Sequence, residues 1–200
     1  MNVCRRSLLA SGAGLALAAT LPSFEAIAAT TRTGVAPDIM RRALAALDRH
    51  AIAHRDVIAV ADFSLASRTP RFHIVNLASG STTSYLVAHG RGSDPGHTGW
   101  LHRFSNAPGS YATSSGAYRT EDVYVGKHGR SIRLAGLDSS NDNARARAIV
   151  VHGAWYVSEE MARAHGVLGR SEGCFALATA SLPEVLQRLG PGRLIYADKV

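Results

Sequence analysis

Residues 148–153 read Ala-Ile-Val-Val-His-Gly and form the most hydrophobic strand-like run of the chain. Consecutive β-branched residues favour a buried strand, because their side chains pack well on a pleated surface. Such a strand carries the side chain at its end rigidly to the edge of a sheet, and here that side chain is His152. The run therefore predicts a strand over 147–152 and marks His152 as a candidate functional residue.

Further runs of β-branched or aromatic residues lie on either side of this strand and are bounded by turn residues. Residues 89–117 separate two of these runs and are rich in Gly, Ser, Asn and Pro. A loop of that length inside a compact domain is usually functional. The further predicted strands span 56–63, 71–77, 83–88, 118–124, 131–137 and 193–197.

Helices are predicted at three places. Apolar residues at three- and four-residue spacing predict an amphipathic helix over 37–54, with Pro37 in its first turn. A short helix is expected over 156–165, and Ser181-Leu182-Pro183-Glu184 has the pattern of a capping box that opens a helix ending at Gly190. The chain is therefore predicted to be a single β-rich α+β domain with a few peripheral helices.

The composition excludes several classes of protein. With 200 residues, 46% hydrophobic and 18% charged, the chain is long enough to bury a core and too apolar to be disordered. The formal net charge of +7 comes mostly from Arg dispersed along the sequence, without a basic block of the kind that follows phosphates. Nucleic acid is therefore not an expected partner, and the sequence does not indicate an oligomeric state.

The first 28 residues have the features of a signal peptide. Arg5 and Arg6 precede an uncharged apolar segment that extends to Glu25, and Ala26-Ile27-Ala28 fits an A-x-A cleavage site. The paired arginines favour the twin-arginine export route over the ordinary secretory route. An uncleaved membrane anchor is disfavoured because Gly, Ser and Pro22 dilute the segment. We therefore expect an exported, periplasmic protein with no membrane span after cleavage.

Cleavage at this site changes the cysteine and charge counts. It divides the chain into a signal peptide (1–28), a lead-in and helix (29–55) and a main domain (56–200). Loss of two Arg and one Glu lowers the net charge from +7 to +6, and loss of Cys4 leaves Cys174 as the single cysteine. A lone cysteine in an oxidising compartment is a buried residue, half of an intermolecular bridge or a reactive thiol.

Cys174 lies in a turn of small residues, Gly169-Arg170-Ser171-Glu172-Gly173-Cys174-Phe175-Ala176. Glycine at two of these positions permits a tight turn and lets a substrate backbone come close. The backbone N–H groups of Gly173 and Cys174 are then candidate donors to a developing oxyanion. Arg170 is near enough in sequence to favour the thiolate, which is the attacking form of the side chain.

A cysteine nucleophile needs a base, and nine histidines are available. His152 is the strongest candidate, because the 22 positions from His152 to Cys174 leave room for one helix and a return. His89 and His128, each followed by Gly, remain alternatives. From the residues alone, a Cys–His nucleophile pair and a buried structural cysteine are both consistent with the pattern.

A metal site is the weaker interpretation of the many histidines. His50 and His54 lie one helical turn apart, but no Glu of an H-E-x-x-H pattern accompanies them. A solvated helix face explains their spacing better. A zinc peptidase is therefore disfavoured, and no metal is expected.

The candidate base and the cysteine turn also form a recognisable pair of motifs. His152-Gly153 followed by Ser171-Glu172-Gly173-Cys174 resembles the H-G … S-x-G-C signature of the L,D-transpeptidases of bacterial cell walls. The likeness covers residues 57–198 and is greatest to the branch of murein L,D-transpeptidase catalytic domain proteins. Further similar segments are His89-Gly90-Arg91-Gly92-Ser93, Phe104-Ser105-Asn106, Gly109-Ser110, Ser114-Ser115-Gly116, Gly126-Lys127-His128-Gly129 and Asn141-Asp142-Asn143-Ala144-Arg145.

The resemblance implies a β-rich, sandwich-like catalytic domain that acts on peptidoglycan stem peptides without a metal or an organic cofactor. It implies that Cys174 attacks the carbonyl of the third, diaminopimelate-type stem residue and expels the terminal D-Ala. His152 would take the thiol proton, with the Gly153 carbonyl orienting its imidazole. The N–H groups of Gly173 and Cys174 would hold the oxyanion. Attack by the amine of a second stem would then form a 3→3 cross-link.

Two positions depart from the family pattern. Glu172 stands where many relatives have His, and Phe175 stands where a smaller or cyclic residue is common. A carboxylate turned towards the thiol would raise the pKa of Cys174. We therefore expect Glu172 to face solvent or a substrate amine.

Substrate contacts are expected from four residues, Arg170, Ser171, His128 and Asn106. Hydrogen bonds that stabilise loops explain His128 and Asn106 equally well. Two other functions stay open. Water can resolve the same acyl-enzyme, which would make the protein an L,D-carboxypeptidase or a cross-link hydrolase. The domain can also be a non-catalytic module held to the anionic wall by its positive charge.

Overall fold

The computed structural model describes residues 34–200, so the predicted signal peptide over 1–28 lies outside the described residues. Within 34–200, no helix is long and apolar enough to cross a bilayer. The elements found there are, in chain order, α1 (Pro37–Arg49), β1 (Val57–Asp62), β2 (Phe72–Asn76), β3 (Thr82–Tyr85), β4 (Val87–Ala88), β5 (Gly116–Gly126), β6 (Gly129–Gly136), β7 (Val150–Ala154), α2 (Glu159–His165), β8 (Phe175–Ala178), α3 (Leu182–Leu189) and β9 (Leu194–Asp198).

The strands belong to one mixed sheet in the order β3-β2-β1-β9-β5-β6-β7-β8-β4. β1 runs parallel to β9 and β7 runs parallel to β8, while the other neighbours are antiparallel. The described chain is one β-rich α+β domain, which confirms the predicted fold class. The loop predicted between the third and fourth runs is present between β4 and β5.

The two edge strands of this sheet are consecutive in the chain. Tyr85 ends β3, which pairs with β2, whereas Val87 begins β4, which pairs with β8. Only Leu86 separates them, so the sheet curves until its two edges adjoin; we call Tyr85–Val87 the seam. The sequence predicts a single strand over 83–88, and that prediction is wrong because the chain changes its partner strand at Leu86.

Arg71 is fully buried at the seam and hydrogen-bonds to both of its sides. Its backbone N–H donates to the Tyr85 carbonyl at 3.0 Å. Its side chain donates to the Val87 carbonyl through Nε (3.2 Å) and Nη2 (3.1 Å), and to the Leu65 carbonyl through Nη1 (2.7 Å). Nη2 also lies 2.7 Å from His89 Nδ1, which must accept because a guanidinium has only donors. Arg71 therefore joins the two edges of the sheet and connects them to His89.

Apolar side chains cover both faces of the sheet next to α1. β1 is buried along its whole length, because Ala59 and Ala61 belong to the interior core while Ile58 and Val60 pack in the outer cluster with α1. This alternation follows from the two-residue period of a strand. The interior core also receives the apolar side chains of α3.

α1 ends at Arg49, five residues before the predicted end at 54. His50 leaves the helix with extended backbone angles, and its Nε2 lies 2.9 Å from Asp138 Oδ1. His54 donates its N–H to the Gly192 carbonyl at 3.0 Å. These contacts with the rest of the domain end the helix, so the two histidines do not share a helix face. Across residues 34–200, no three His, Cys, Asp or Glu side chains are grouped to hold a metal ion.

α3 forms in the predicted segment and stops at Gly190, which has a φ of +44°. The predicted capping box is absent, because the Ser181 side chain makes no cap hydrogen bond. Glu184 instead accepts a hydrogen bond from the Tyr85 hydroxyl at 2.7 Å. This tertiary hydrogen bond connects α3 to the seam, and it is formed in place of the predicted capping-box hydrogen bond.

Arg71→Met should lower the free energy of unfolding by about 3 kcal/mol, because it leaves buried carbonyls of the seam without donors. Urea denaturation followed by circular dichroism measures the change. Arg41→Met is the matched control, since Arg41 is exposed and pairs only with Asp38 on its own helix. Its unfolding midpoint should equal that of the wild type. Equal midpoints for the two variants would contradict a stabilising role of Arg71 at the seam.

Candidate active site

The pairing of β7 with β8 brings His152 and Cys174 to the same cavity. The two strands are parallel, and His152 is in register with Ala176. Cys174 lies two residues before Ala176 and directly precedes β8, which puts it on the same side of the sheet as His152. Both side chains line one cavity. β7 continues past His152 to Ala154, so His152 lies within the strand and not at its end as predicted.

His152 is buried, and its Nδ1 lies 2.9 Å from the Gly153 carbonyl oxygen. Because a carbonyl only accepts, Nδ1 carries the proton and Nε2 keeps its lone pair. Burial lowers the pKa of His152, and the charges of His128 and Lys127 lower it further against the opposing effect of the Gly153 carbonyl. The imidazole is therefore neutral at pH 7, with Nε2 available as a base.

The Cys174 side chain is half-buried, and burial raises the pKa of its thiol above the ordinary value. A hydrogen bond with the Val150 backbone and the charges of Lys127 and Arg147 act in the opposite direction without reversing the shift. The thiol also lies within weak hydrogen-bond distance of a carbonyl oxygen, with Sγ 3.5 Å from Ala148 O. The resting side chain is therefore the neutral thiol.

Residues 171–174 form a turn that is held by its own hydrogen bonds and by the loop after β4. Ser171 N–H donates to the His89 carbonyl at 2.9 Å, and Arg91 N–H donates to the Ser171 carbonyl at 2.8 Å. Ser171 Oγ donates to the Cys174 carbonyl at 2.7 Å and accepts from Gly173 N–H at 3.2 Å. Ser171 therefore shapes the turn, and the Gly173 N–H donates to it from inside the turn.

Gly173 is required at its position by conformation and by space. Its φ of +118° lies in a region that side chains rarely adopt. A Cβ there would lie 2.7 Å from the Ala112 carbonyl oxygen and 2.8 Å from Ile149 Cδ1. A Cβ on Gly90 would in turn lie 2.8 Å from the Gly173 nitrogen. The backbones of two glycines thus touch beneath the cysteine turn.

The two alternative histidines have different surroundings. His128 lies on the turn between β5 and β6 and stacks on His152, with ring centroids 4.2 Å apart and ring planes at 20°. It also lines the cavity that contains Cys174. His89 is fully buried, and burial together with the nearby charge of Arg71 lowers its pKa to about 3. His89 is therefore a neutral structural residue, and His128 is the one that reaches the site.

The cavity around Cys174 has a volume of about 440 Å³. Of the four expected substrate-contact residues, Arg170, Ser171 and His128 line it and Asn106 does not. Asn106 Nδ2 donates to the Ser139 carbonyl at 3.1 Å, so this amide holds two loops together. The other lining residues are Tyr124, Lys127, Arg147, Ala148, Val150, His152, Tyr156, Glu172 and Cys174.

A second cation, besides the Arg170 expected from sequence, lies next to the cysteine turn. Arg170 donates through Nη1 to the Asp94 carbonyl and so supports the loop after β4. Arg147 reaches the turn from another part of the chain, because a Cβ on Gly173 would be 3.1 Å from Arg147 Nη2, and its charge acts to lower the pKa of Cys174. No motif marks Arg147 in the sequence. Its only signal is its place directly before the apolar run at 148–153.

The two residues that depart from the family pattern have separate roles in the structure. Glu172 is exposed, as expected, and its Oε1 lies 3.1 Å from Arg91 Nη2. Its charge adds to the raised pKa of Cys174. Phe175 is fully buried and contacts Tyr118 edge to face, with ring centroids 5.4 Å apart. Phe175 is therefore a residue of the interior core that anchors the end of the cysteine turn.

Comparison with known proteins gives one family. A family model described as the L,D-transpeptidase catalytic domain matches residues 31–197. An L,D-transpeptidase from Mycobacterium smegmatis is 15% identical, with a TM-score of 0.41 over 72% of this chain and 58% of its own. L,D-transpeptidase 3 from Mycobacterium tuberculosis, solved with a faropenem-derived adduct, is 15% identical, with a TM-score of 0.44 over 72% of this chain and 60% of its own.

A third similar structure is the helical cell shape determining protein Pgp2 from Campylobacter jejuni. It is 12% identical, with a TM-score of 0.45 over 74% of this chain and 49% of its own. The chain thus spans between half and three fifths of the length of these three solved proteins. No curated protein matches the sequence.

Gly173→Ala should lower the free energy of unfolding by more than about 2 kcal/mol, because a methyl group there combines an unfavourable φ with contacts to backbone. Gly80→Ala separates the two effects, since Gly80 has a φ of +70° and nothing within 4 Å of its Cβ position. That control should lose only about 1 kcal/mol. Urea denaturation measures both variants, and equal losses would contradict the close packing beneath the cysteine turn.

Proposed function

The chain belongs to the L,D-transpeptidase catalytic domain family, and on that premise we propose that it is a cysteine-dependent transpeptidase that forms 3→3 cross-links in peptidoglycan. The observation that carries the proposal is the shared cavity of Cys174 and His152. In it, the Gly153 carbonyl holds the proton of His152 on Nδ1, which leaves Nε2 as the base. A buried structural cysteine does not account for this arrangement, because such a residue has no need of an oriented base in the same cavity.

The first half of the proposed reaction transfers an acyl group to sulfur. Cys174 Sγ attacks the carbonyl carbon of the third stem residue while His152 Nε2 takes the thiol proton. We assign the oxyanion contact to the Cys174 N–H, because the Gly173 N–H donates to Ser171 Oγ. Collapse of the intermediate breaks the bond to the terminal D-Ala, whose amine leaves with the proton from His152. The product is a thioester on Cys174.

The second half transfers the acyl group to a second stem. A side-chain amine attacks the thioester, His152 takes one amine proton, and the sulfur leaves and receives that proton. A 3→3 amide bond forms and the free thiol returns. The cysteine is a neutral thiol before attack, because burial raises its pKa while lowering that of His152. Proton transfer therefore accompanies attack, in contrast to enzymes that store a thiolate–imidazolium pair.

The proposed substrate also supports the location expected from sequence. The family acts on cell-wall peptidoglycan, and stem peptides become cross-linked outside the cytoplasm. We therefore propose that the protein is exported, with residues 1–28 as a cleaved signal peptide and the twin-arginine pathway as the route. The proposed export route and cleavage site depend on the N-terminal sequence and not on the residues of the cavity.

Incubation with disaccharide-tetrapeptides should give an acyl adduct on Cys174 and then a dimer with a 3→3 bond, both detected by mass spectrometry. A tripeptide monomer without dimer would identify the L,D-carboxypeptidase instead. Cys174→Ser should give neither product and should keep the wild-type unfolding midpoint, because the side chains are nearly isosteric. Full activity of that variant would refute the nucleophile, and a wild-type protein that binds peptidoglycan without forming an adduct would be a binding module.

The acid limb of kcat/KM should lie below the ordinary imidazole pKa of about 6.5. Burial lowers the pKa of His152, so the base form persists to lower pH and activity is lost only as the pH falls through that value. His128→Phe should move the limb upward, since it keeps an aromatic ring but removes the repulsion between protonated His128 and protonated His152 at acidic pH. His165→Phe, in the exposed helix α2, should leave it in place.

His152→Ala tests the assignment of the base directly. It should lower kcat/KM by about 10²–10⁴-fold and abolish the acid limb, because general-base assistance is lost. A loss of that size in His128→Ala, with His152→Ala nearly unchanged, would reassign the base to His128.

A further inference from the structure

Three cationic side chains line the cavity around Cys174, and one carboxylate accompanies them. The cations are Lys127 on the β5–β6 turn, Arg147 on the turn before β7, and Arg170 at the start of the cysteine turn. The carboxylate is that of Glu172. With neutral histidines, the side chains of the lining have a net charge of +2. This charge belongs to the cavity itself and not to the dispersed surface of the domain.

None of these three cations forms an ion pair within residues 34–200. Arg147 donates only to neutral acceptors, which are the carbonyls of Ser105 and Ala112 and the hydroxyls of Ser110 and Ser114. Arg170 donates to backbone carbonyls, and Lys127 makes no hydrogen bond in that part of the chain. The one carboxylate of the cavity, that of Glu172, pairs with Arg91 instead.

A partly buried cation without a counter-charge is unfavourable, because burial removes hydration that neutral acceptors replace only in part. Most other arginines of the described chain pair with Asp or Glu, for example Arg193 with Asp56 and Arg133 with Asp122. Five other arginines of residues 34–200 also lack an ion pair, but none of them lines this cavity, whereas Arg147, Arg170 and Lys127 line it together with the proposed nucleophile. An anion that enters with the substrate would supply the missing charge.

We propose that this cavity is a carboxylate-binding subsite for the acyl donor, in which Arg147 and Lys127 supply the positive charge. The proposal rests on the proposed function. A tetrapeptide stem that ends in D-Ala has a free carboxylate on the residue that follows the scissile bond, and its diaminopimelate-type third residue carries another. The side chains that line the cavity therefore have a net positive charge, and the carboxylates of the acyl donor are negative.

Arg147 lies beside the turn that carries the proposed nucleophile. Its Nη2 would be 3.1 Å from a Cβ on Gly173, next to the nucleophile. Its four acceptors occupy the Nη donors of the guanidinium, so the Nε–H and the net charge remain for a ligand. Along the donor chain, the carboxylate one residue beyond the scissile carbonyl is the anionic group separated from the reacting carbon by the fewest bonds. Arg147 therefore selects donors whose leaving residue is free at its carboxyl end.

The test uses binding, which does not depend on turnover. The full chain carrying Cys174→Ser is titrated with a tetrapeptide that ends in free D-Ala and with the matched peptide that ends in D-alaninamide. The free acid should bind about tenfold more tightly, a typical ratio for loss of a charge-assisted hydrogen bond. Added Arg147→Gln should abolish that preference, and Arg147→Lys should keep part of it because it keeps the charge. Equal affinities for the two peptides would overturn the subsite.

Matched controls separate the subsite from general charge and from folding. Arg145→Gln removes one positive charge two residues away, at an exposed side chain that pairs with Glu121, and should keep the full preference. Should Arg147→Gln fail to fold, Lys127→Gln is measured against Arg130→Gln on the same hairpin. Lys127→Gln should weaken binding of the free acid more than Arg130→Gln does, and equal effects would overturn the assignment of Lys127.

Turnover distinguishes failure of this proposal from failure of the proposed function. If the wild-type enzyme forms the 3→3 dimer equally well from both donors, the proposed function stands and the carboxylate-binding subsite is refuted. If the protein binds the free acid preferentially but forms no acyl adduct, the subsite stands and the transpeptidase function is refuted. A drop in kcat/KM by the same factor for both donors in Arg147→Gln would show that Arg147 serves the thiol and not the donor carboxylate.

Discussion

The fold depends on a guanidinium that closes a curved sheet on itself. Arg71 hydrogen-bonds on both sides of the seam, and through Nη2 it fixes the neutral tautomer of His89. The His89 carbonyl then accepts from Ser171, whose hydroxyl holds the Cys174 carbonyl. One buried cation thus determines where two edges meet and where the cysteine turn is anchored. Closure of the sheet and assembly of the site are the same structural event.

Much of the fold follows from local sequence pattern, because most strands are β-branched runs bounded by turn residues. The predicted helix and strand boundaries are wrong where a contact with a distant residue outweighs the local sequence pattern. α1 ends before His50, whose side chain contacts Asp138. The Glu184 carboxylate accepts a hydrogen bond from Tyr85 and does not form the predicted capping box. The predicted strand over 83–88 is two strands, because the chain changes its partner strand at Leu86. Each outcome depends on a residue far away in the chain, and no window of neighbouring residues contains that information.

The candidate site divides in a similar way between local and distant information. Cys174 and His152 are readable from sequence, since a lone thiol among glycines and a histidine on an apolar strand are local features. The charged residues around them cannot be predicted from sequence, because residues that are close in the sequence are often not close in the fold. Arg170 adjoins the turn in sequence yet supports another loop, while Arg147 arrives from a separate turn. The charge around Cys174 is therefore a property of the tertiary structure.

The seam also has a consequence for the order of folding. β4 pairs with β8 across ninety positions of sequence, and β1 pairs with β9 across more than a hundred. Contacts of such separation form slowly, since a long loop must close before they stabilise the chain. The hairpin of β5 and β6 requires no such closure. Lys127 and His128 are therefore placed by a local hairpin, whereas Cys174 takes its place only when β8 pairs with strands that lie far away in the chain.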